Sequence, residues 1–179
     1  MSVTLKVGDA APALVLPAHT GRTFDLAKEP LGGRTLVVFF RFAGCPFCNV
    51  HVHVLIERYT ELARAGVKVV GVFGSPMDAI RETVARQEPP FPILADADDA
   101  AHIAWGATHD SVLGMMDPRN ARVGLGPWRQ RATIDAGRTD SKVLRMPADF
   151  VVDEQMTIRL AHYGRYAADH LSVDEVLGG

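Results

Sequence analysis

The sequence predicts an α/β fold, a central mixed β-sheet flanked by helices, and three observations carry this. Leu36-Val37-Val38-Phe39-Phe40-Arg41-Phe42 is an almost unbroken apolar run rich in β-formers, the pattern of a strand buried on both faces. From Cys45 to about Ala65, residues Cys48, Val52, Leu55, Tyr59 and Leu62 recur at helical spacing, with Ile56 and Ala63 beside them. Asn49, Glu57, Glu61 and Arg64 fall on other faces, so the segment reads as an amphipathic helix. Val67-Lys68-Val69-Val70-Gly71-Val72-Phe73 is a second strand. Strand, helix and strand then form a βαβ unit, right-handed if the strands are parallel.

The remaining elements follow in order. Gly66 is a helix stop. Ser75-Pro76 opens a further helix, with Ser75 as N-cap and Pro76 in its first turn, and Pro89-Pro90 bounds it. Phe91-Pro92-Ile93-Leu94 is a short strand, and a short helix runs from about Asp98 to Trp105, ended by Gly106. Residues 108 to 145 read as irregular, broken by Met116-Asp117-Pro118-Arg119-Asn120 and by Gly124-Leu125-Gly126-Pro127. So long an irregular stretch suits a lid, a dimer contact or a partner surface. Phe150-Val151-Val152-Asp153 and Met156-Thr157-Ile158-Arg159-Leu160-Ala161 form an antiparallel hairpin. Ser172-Val173-Asp174-Glu175 opens a terminal helix.

A chain of 179 residues with 47% hydrophobic content suits one domain spanning residues 1–179. With 19 basic and 21 acidic side chains and no basic run, nucleic acid is not an expected partner. No stretch of about 18 apolar residues predicts a membrane span. The first residues carry no secretory pattern, so the expectation is a soluble, cytoplasmic protein in a reducing compartment.

The chemistry lies in Gly44-Cys45-Pro46-Phe47-Cys48, which holds the only two cysteines. The loop they would close is short, so a disulfide there removes little unfolded-state entropy. What the spacing allows is a reversible bond, one sulfur attacking and the other resolving. A C-x-x-C beside a βαβ pattern reads as thioredoxin-like. Cys45, at the helix N-terminus, is the expected exposed nucleophile, its thiolate favoured by free N–H groups and the helix dipole. Cys48, one turn on along the apolar face, is the expected buried resolving thiol. A structural disulfide or two inert thiols stays open as the alternative. Phe47 is expected to be exposed, as an apolar surface for partners. Arg41, four residues before Cys45, either stabilises the thiolate or orients a substrate with its charge, or else covers apolar surface with its stem while its head reaches water.

Cys45, Cys48, His51 and His53 are four potential zinc ligands, but one helix points His53 away from Cys48. Structural zinc sites also draw ligands from separated segments, so no metal is expected. There is no G-x-x-x-x-G-K-S/T, G-x-G-x-x-G or G-x-S-x-G, so no bound cofactor is implied and the dithiol is the redox group.

Several further stretches together resemble the alkyl hydroperoxide reductase/thiol-specific antioxidant (AhpC/TSA, peroxiredoxin-like) family of the thioredoxin superfamily. They are Val7-Gly8-Asp9-Ala10-Ala11-Pro12, Gly21-Arg22-Thr23-Phe24-Asp25-Leu26, Phe91-Pro92-Ile93-Leu94-Ala95-Asp96 with Trp105-Gly106, and Met146-Pro147-Ala148-Asp149-Phe150-Val151-Val152-Asp153. Arg41 ahead of the C-x-x-C is more similar to the branch that includes selenoprotein L relatives. The resemblance implies a thioredoxin-like fold with an N-terminal extension and an insertion before the cis-proline strand. It implies that Pro147 is that cis-proline, in a loop facing the thiols whose open backbone edge pairs with extended substrates, with Met146 beside it.

The chain also departs from the family. Peroxiredoxins carry Pro-x-x-x-Thr/Ser-x-x-Cys, and counted back from Cys45 those places hold Val38 and Phe42. They place an Arg three residues before the late-strand Phe, where this chain has Pro147; Arg41 or Arg145 would have to substitute. Thioredoxins carry a Trp just before the first Cys and a buried Asp six residues before it; here these are Gly44 and Phe39. The leading expectation is therefore a thiol-disulfide oxidoreductase using Cys45 and Cys48, returned to the dithiol by a thioredoxin- or glutathione-type reductant. The alternative is a thiol peroxidase in which Cys45 attacks a hydroperoxide and its sulfenic acid condenses with Cys48. The resemblance also allows a homodimer.

Overall fold

In the computed structural model, which describes residues 4–29, 33–124 and 142–179, five strands form one mixed sheet in the order β5-β4-β3-β6-β7. These are β3 (Arg34–Phe40), β4 (Val67–Phe73), β5 (Ile93–Ala95), β6 (Ala148–Val152) and β7 (Ile158–Tyr163). Strands β3, β4 and β5 run parallel, while β6 lies antiparallel to β3 and to β7. A separate hairpin, β1 (Val15–Pro17) with β2 (Thr23–Asp25), supplies the expected N-terminal extension.

Strand periodicity builds the two halves of the core. Leu36, Val38 and Phe40 of β3 face one side, where α1 (Pro46–Glu57) brings Cys48, Val52 and Leu55. Val37 and Phe39 face the other side and pack with Trp105 and Phe150. The turn into β3 needs glycine at Gly33, whose φ is +124° and where a Cβ would run into the Gly66 carbonyl.

Three expected boundaries move. Strand β3 ends at Phe40, so Arg41 and Phe42 stand beyond the sheet, at the head of the Cys45 loop. The expected 45–65 helix divides into α1 and α2 (Tyr59–Arg64) at Arg58, whose φ of −96° and ψ of 9° leave the helical region. The arginine side chain there binds Glu61 and Asp174 instead. Ser75 does not cap α3 (Met77–Glu82); Pro76 holds that place, and the Ser75 hydroxyl accepts the Ala43 N–H at 3.0 Å.

The 108–145 stretch is not wholly irregular. Short helices α5 (Val112–Met115) and α6 (Arg119–Gly124) follow α4 (Ala100–Ala104), while Gly126-Pro127 and the rest of 125–141 lie outside the described residues. Ser111 accepts from Gly114 N as the α5 cap, a local bond the breaker-rich sequence hid. The chain closes with α7 (Val173–Gly178), opened as expected by Ser172 in a capping box with Glu175. Among the described residues no helix is long and apolar enough to cross a membrane.

Candidate active site

Cys45 is the N-cap of α1, with Pro46 in the first turn behind it. Its sulfur accepts the Cys48 N–H at 3.4 Å, taking one donor that a helix start leaves unpaired. The loop ahead is clamped from two sides. Asn49 Nδ2 donates to the carbonyls of Ala43 (2.8 Å) and Cys45 (2.9 Å), and Gln87 Nε2 donates to Asn49 Oδ1 at 2.9 Å. Ser75 holds Ala43 from the other side.

Both cysteines are free thiols with 0% exposure, which corrects the expectation of an exposed Cys45. The Arg41–Ala43 segment ahead of the helix start is itself buried, and Cys45 packs in one core cluster with Phe42, Ala43, Cys48 and Val52. Arg41 settles between its two expected placements: its head is buried too, at 1% exposure. Nη1 donates to Cys45 Sγ at 3.5 Å and Nη2 donates to the Val143 carbonyl. Its Nε is buried without a partner.

Burial pushes the Cys45 thiol up, but the Cys48 thiol, the Arg41 charge and the N–H groups of Cys48 and Phe47 outweigh it, bringing Cys45 down to about 7. Burial and the neighbouring Cys45 push Cys48 well above its ordinary value, although the Arg41 guanidinium and N–H pull the other way. The pair therefore divides into a ready thiolate and a reluctant thiol, the division that nucleophile and resolver require.

Pro147 stands immediately before β6, beyond the Phe39–Ala148 pair that ends the β3–β6 ladder. Two expectations for it are corrected. No cis peptide occurs among the described residues, so Met146–Pro147 is trans. The backbone edge is not open either. Met146 N donates to the His109 carbonyl at 2.8 Å and Ser111 N to the Leu144 carbonyl at 2.9 Å, so the chain's own 109–111 segment pairs there. The Pro147 carbonyl accepts from Gly164 N at 2.8 Å, which fixes the loop from its far side.

Arg145 does not reach the thiols. It forks onto Asp99 through Nη1 (2.8 Å) and Nη2 (2.9 Å), and Lys142 binds the same carboxylate and the Gly74 carbonyl. Residues 142–146 are thus strapped to the body at Asp99, while Arg41 holds the strap at Val143. Burial raises the Asp99 carboxyl, but Arg145 and Lys142 bring it down to about 2.

Phe47 is half-buried against the core rather than exposed. His51 stacks on His170 and His53 lies against Glu57, so the four potential zinc ligands do not converge. Asp96, Asp99 and His102 do cluster, with ligand atoms within 4.8 Å of one another. Their lone pairs are committed: Asp96 accepts from Ala101 N, His102 N and the His102 ring, and Asp99 holds two cations. Sequence reasoning missed Asn49, read only as polar-face, and His102, whose ring joins Asp96 to the Phe40 carbonyl just before Arg41.

The AhpC/TSA family matches residues 7–161 of the chain. Peroxiredoxin Bcp of Escherichia coli K12 is 33% identical over 94 residues, 52% of this chain and 60% of that protein. The putative chloroplastic peroxiredoxin Q of Oryza sativa subsp. indica is 30% identical over 117 residues, 65% of this chain and 52% of the relative. The matched region thus spans little more than half the length of these relatives. Peroxidoxin BcpB from Mycobacterium tuberculosis superposes with a TM-score of 0.70 at 18% identity, covering 97% of this chain and 95% of that one. Xanthomonas campestris peroxiredoxin Q gives 0.66 at 18% identity over 92% and 87%. At such identities the likeness is one of fold, and it is that of a peroxiredoxin with its thioredoxin-like sheet.

Proposed function

The chain belongs to the AhpC/TSA family, and on that premise we propose that it is a thiol peroxidase in which Cys45 is oxidised and Cys48 resolves. The observation that carries this is the Cys45 sulfur: fully buried, bonded by Arg41 and held near a pKa of about 7. A buried thiolate admits a small oxidant. A protein disulfide must instead bring its central sulfur to Cys45, and the backbone edge that would seat its chain is filled by residues 109–111. This reverses the order of the two sequence expectations, the dithiol serving both.

The Cys45 thiolate attacks the nearer oxygen of a hydroperoxide. The S–O bond forms, the O–O bond breaks, and the departing alkoxide or hydroxide leaves as alcohol or water after taking a proton. Arg41, donating to the sulfur, holds positive charge where the thiolate sits before attack and where negative charge passes to the leaving oxygen. Cys48 then attacks the Cys45 sulfenic acid, forming the S–S bond and releasing water. A thioredoxin- or glutathione-type thiol pair reduces the disulfide, restoring both thiols and becoming oxidised itself. A reducing compartment such as the cytoplasm suits that step.

Stoichiometric titration with hydrogen peroxide or an alkyl hydroperoxide tests the reading. One equivalent should consume both thiols and yield the Cys45–Cys48 disulfide, and Cys45→Ser should consume none rapidly. Peroxide-resistant thiols that instead oxidise readily with a protein disulfide would return the first place to disulfide exchange.

A further inference from the structure

Resolution asks Cys48 to give up a proton where no water reaches it, since it is 0% exposed. The position that holds a buried carboxylate in thioredoxins is Phe39 here, and its ring faces the opposite side of the sheet. A buried carboxylate does stand on the correct side, one strand away. Asp149 of β6 lies directly opposite Val38 of β3, and cross-strand partners share a face. Val38, Phe40 and Cys48 belong to one packed cluster on that face.

Asp149 is 0% exposed and fully engaged. Its Oδ2 accepts from Leu171 N at 2.6 Å, and its Oδ1 lies 2.9 Å from His170 Nδ1. With Nδ1–H given to the carboxylate, the lone pair of His170 falls on Nε2, which is buried and has no partner. The His170 side chain is 2% exposed. Its ring stacks on His51 at 4.0 Å and 6°, and both rings lie against Phe40. His51 is one helical turn from Cys48, the spacing at which side chains on a helix are neighbours.

We propose that the Asp149–His170 pair, closed over by His51, is the proton acceptor for Cys48 during disulfide closure. The inference rests on Cys48 acting as the resolving thiol. The Cys48 S–H bond breaks as its sulfur attacks Cys45, and the proton passes to His170 Nε2. The S–O bond of the sulfenic acid then breaks, and the hydroxide leaves as water on receiving that proton back. No net proton is consumed. Asp149 fixes the tautomer and balances the imidazolium, the role of a carboxylate behind a catalytic histidine.

The charged and titratable groups around the pair agree with this. From α1, His51 is held neutral, burial and the neighbouring His170 both lowering its pKa well below the usual histidine range. From β7, His162 is the register partner of Asp149, but its Nε2 turns to the Asp169 carbonyl at 3.1 Å. From the β3 end, Arg41 acts on Cys48 and favours its thiolate.

The test measures closure separately from peroxide chemistry. Cys45 of the reduced protein is capped with methyl methanethiosulfonate, and methanethiol release by Cys48 is followed across pH. Peroxide-driven closure of the sulfenic acid is followed in parallel. His170→Gln should slow both closures by about tenfold or more, the scale of general-base catalysis, and flatten the pH profile while leaving the rate of Cys45 capping unchanged. His53→Gln, on the same helix but beside Glu57 rather than in the stack, should retain closure and its pH profile. Asp149→Asn should fall between, and it carries the same reading should His170→Gln fail to fold. Closure with wild-type rate and pH profile in folded His170→Gln or Asp149→Asn protein overturns the proposal. Loss of peroxide oxidation with methanethiol release intact would overturn the peroxidase reading instead.

Discussion

The guanidinium of Arg41 donates to the sulfur of Cys45 at 3.5 Å, with neither residue more than 1% exposed. Among the described residues no carboxylate answers that arginine; its remaining bond goes to the neutral Val143 carbonyl. A buried cation favours negative charge beside it, and the Cys45 sulfur is the titratable group that its Nη1 reaches.

Arg41→Met should therefore raise the Cys45 pKa from about 7 to the ordinary thiol value of about 8.5 or above. At neutral pH the thiolate fraction then falls by about tenfold or more, and the oxidation rate falls with it. Alkylation rate against pH, compared in the two proteins, reads the shift directly.

The sign of the linkage gives a second expectation. Cys45 has its pKa lowered in the fold, so its stabilisation of the reduced protein is fully present above the ordinary thiol value of about 8.5 and is lost as pH falls through about 7. Reduced wild type should gain stability relative to Cys45→Ala between pH 7 and 9. Paired urea denaturations under reducing conditions check it, and a gain in the opposite direction would remove the thiolate from the account.

Cys48→Ser should still consume peroxide but stop at the sulfenic acid on Cys45, trapped by dimedone and located by mass spectrometry. Cys45→Ser should form no rapid sulfenic acid. The pair of variants also fixes which sulfur takes the oxidation, because the family motif reads differently from each cysteine. Counted back from Cys48, its Pro and hydroxyl places fall on Arg41 and Cys45 rather than on Val38 and Phe42. In that register the Cys45 sulfur occupies the hydroxyl place, accepting the Cys48 N–H. The lowered Cys45 and raised Cys48 pKa favour oxidation at Cys45.

Asp99 anchors the 142–146 strap, and Asp99→Ala would strand Arg145 and Lys142 beside the site. The expected loss is about 2–3 kcal/mol, with faster hydrogen exchange along 142–146. Because its pKa is held at about 2, the Asp99 contribution is present above the ordinary carboxylate value near 3.9 and lost as pH falls through about 2. The strap should stay protected at pH 4.

Asn49→Ala frees the carbonyls of Ala43 and Cys45 together. Net loss of about 1–2 kcal/mol is expected, with a lower oxidation rate because the Cys45 loop loses its clamp. Circular dichroism melts and peroxide kinetics on one preparation separate the two effects.

Much of this was legible in the sequence. The apolar run of β3 and the repeat of α1 announce themselves because burial on one or both faces leaves a period. The C-x-x-C marks its own helix start, and Ser172 and Glu175 write their capping box in two letters. What was illegible arises from contacts far apart in the chain. Cys45 is buried beside an Arg41–Ala43 segment whose Ala43 is held by Ser75, 32 residues away. The filled edge at Met146 depends on His109, and nothing local to Pro147 foretells it. Asp149 and His170 each look like ordinary surface letters; the Val38 register and the α7 approach bury them together.

The most direct test is the second-order rate at which hydrogen peroxide oxidises the reduced protein, followed by stopped-flow fluorescence or rapid thiol trapping, with Cys45→Ser and Arg41→Met beside it. The account predicts a rate far above that of a free thiolate, abolished by the first substitution and cut by about tenfold or more by the second. A rate no faster than a simple thiol of pKa about 7, or one indifferent to Arg41, would contradict it.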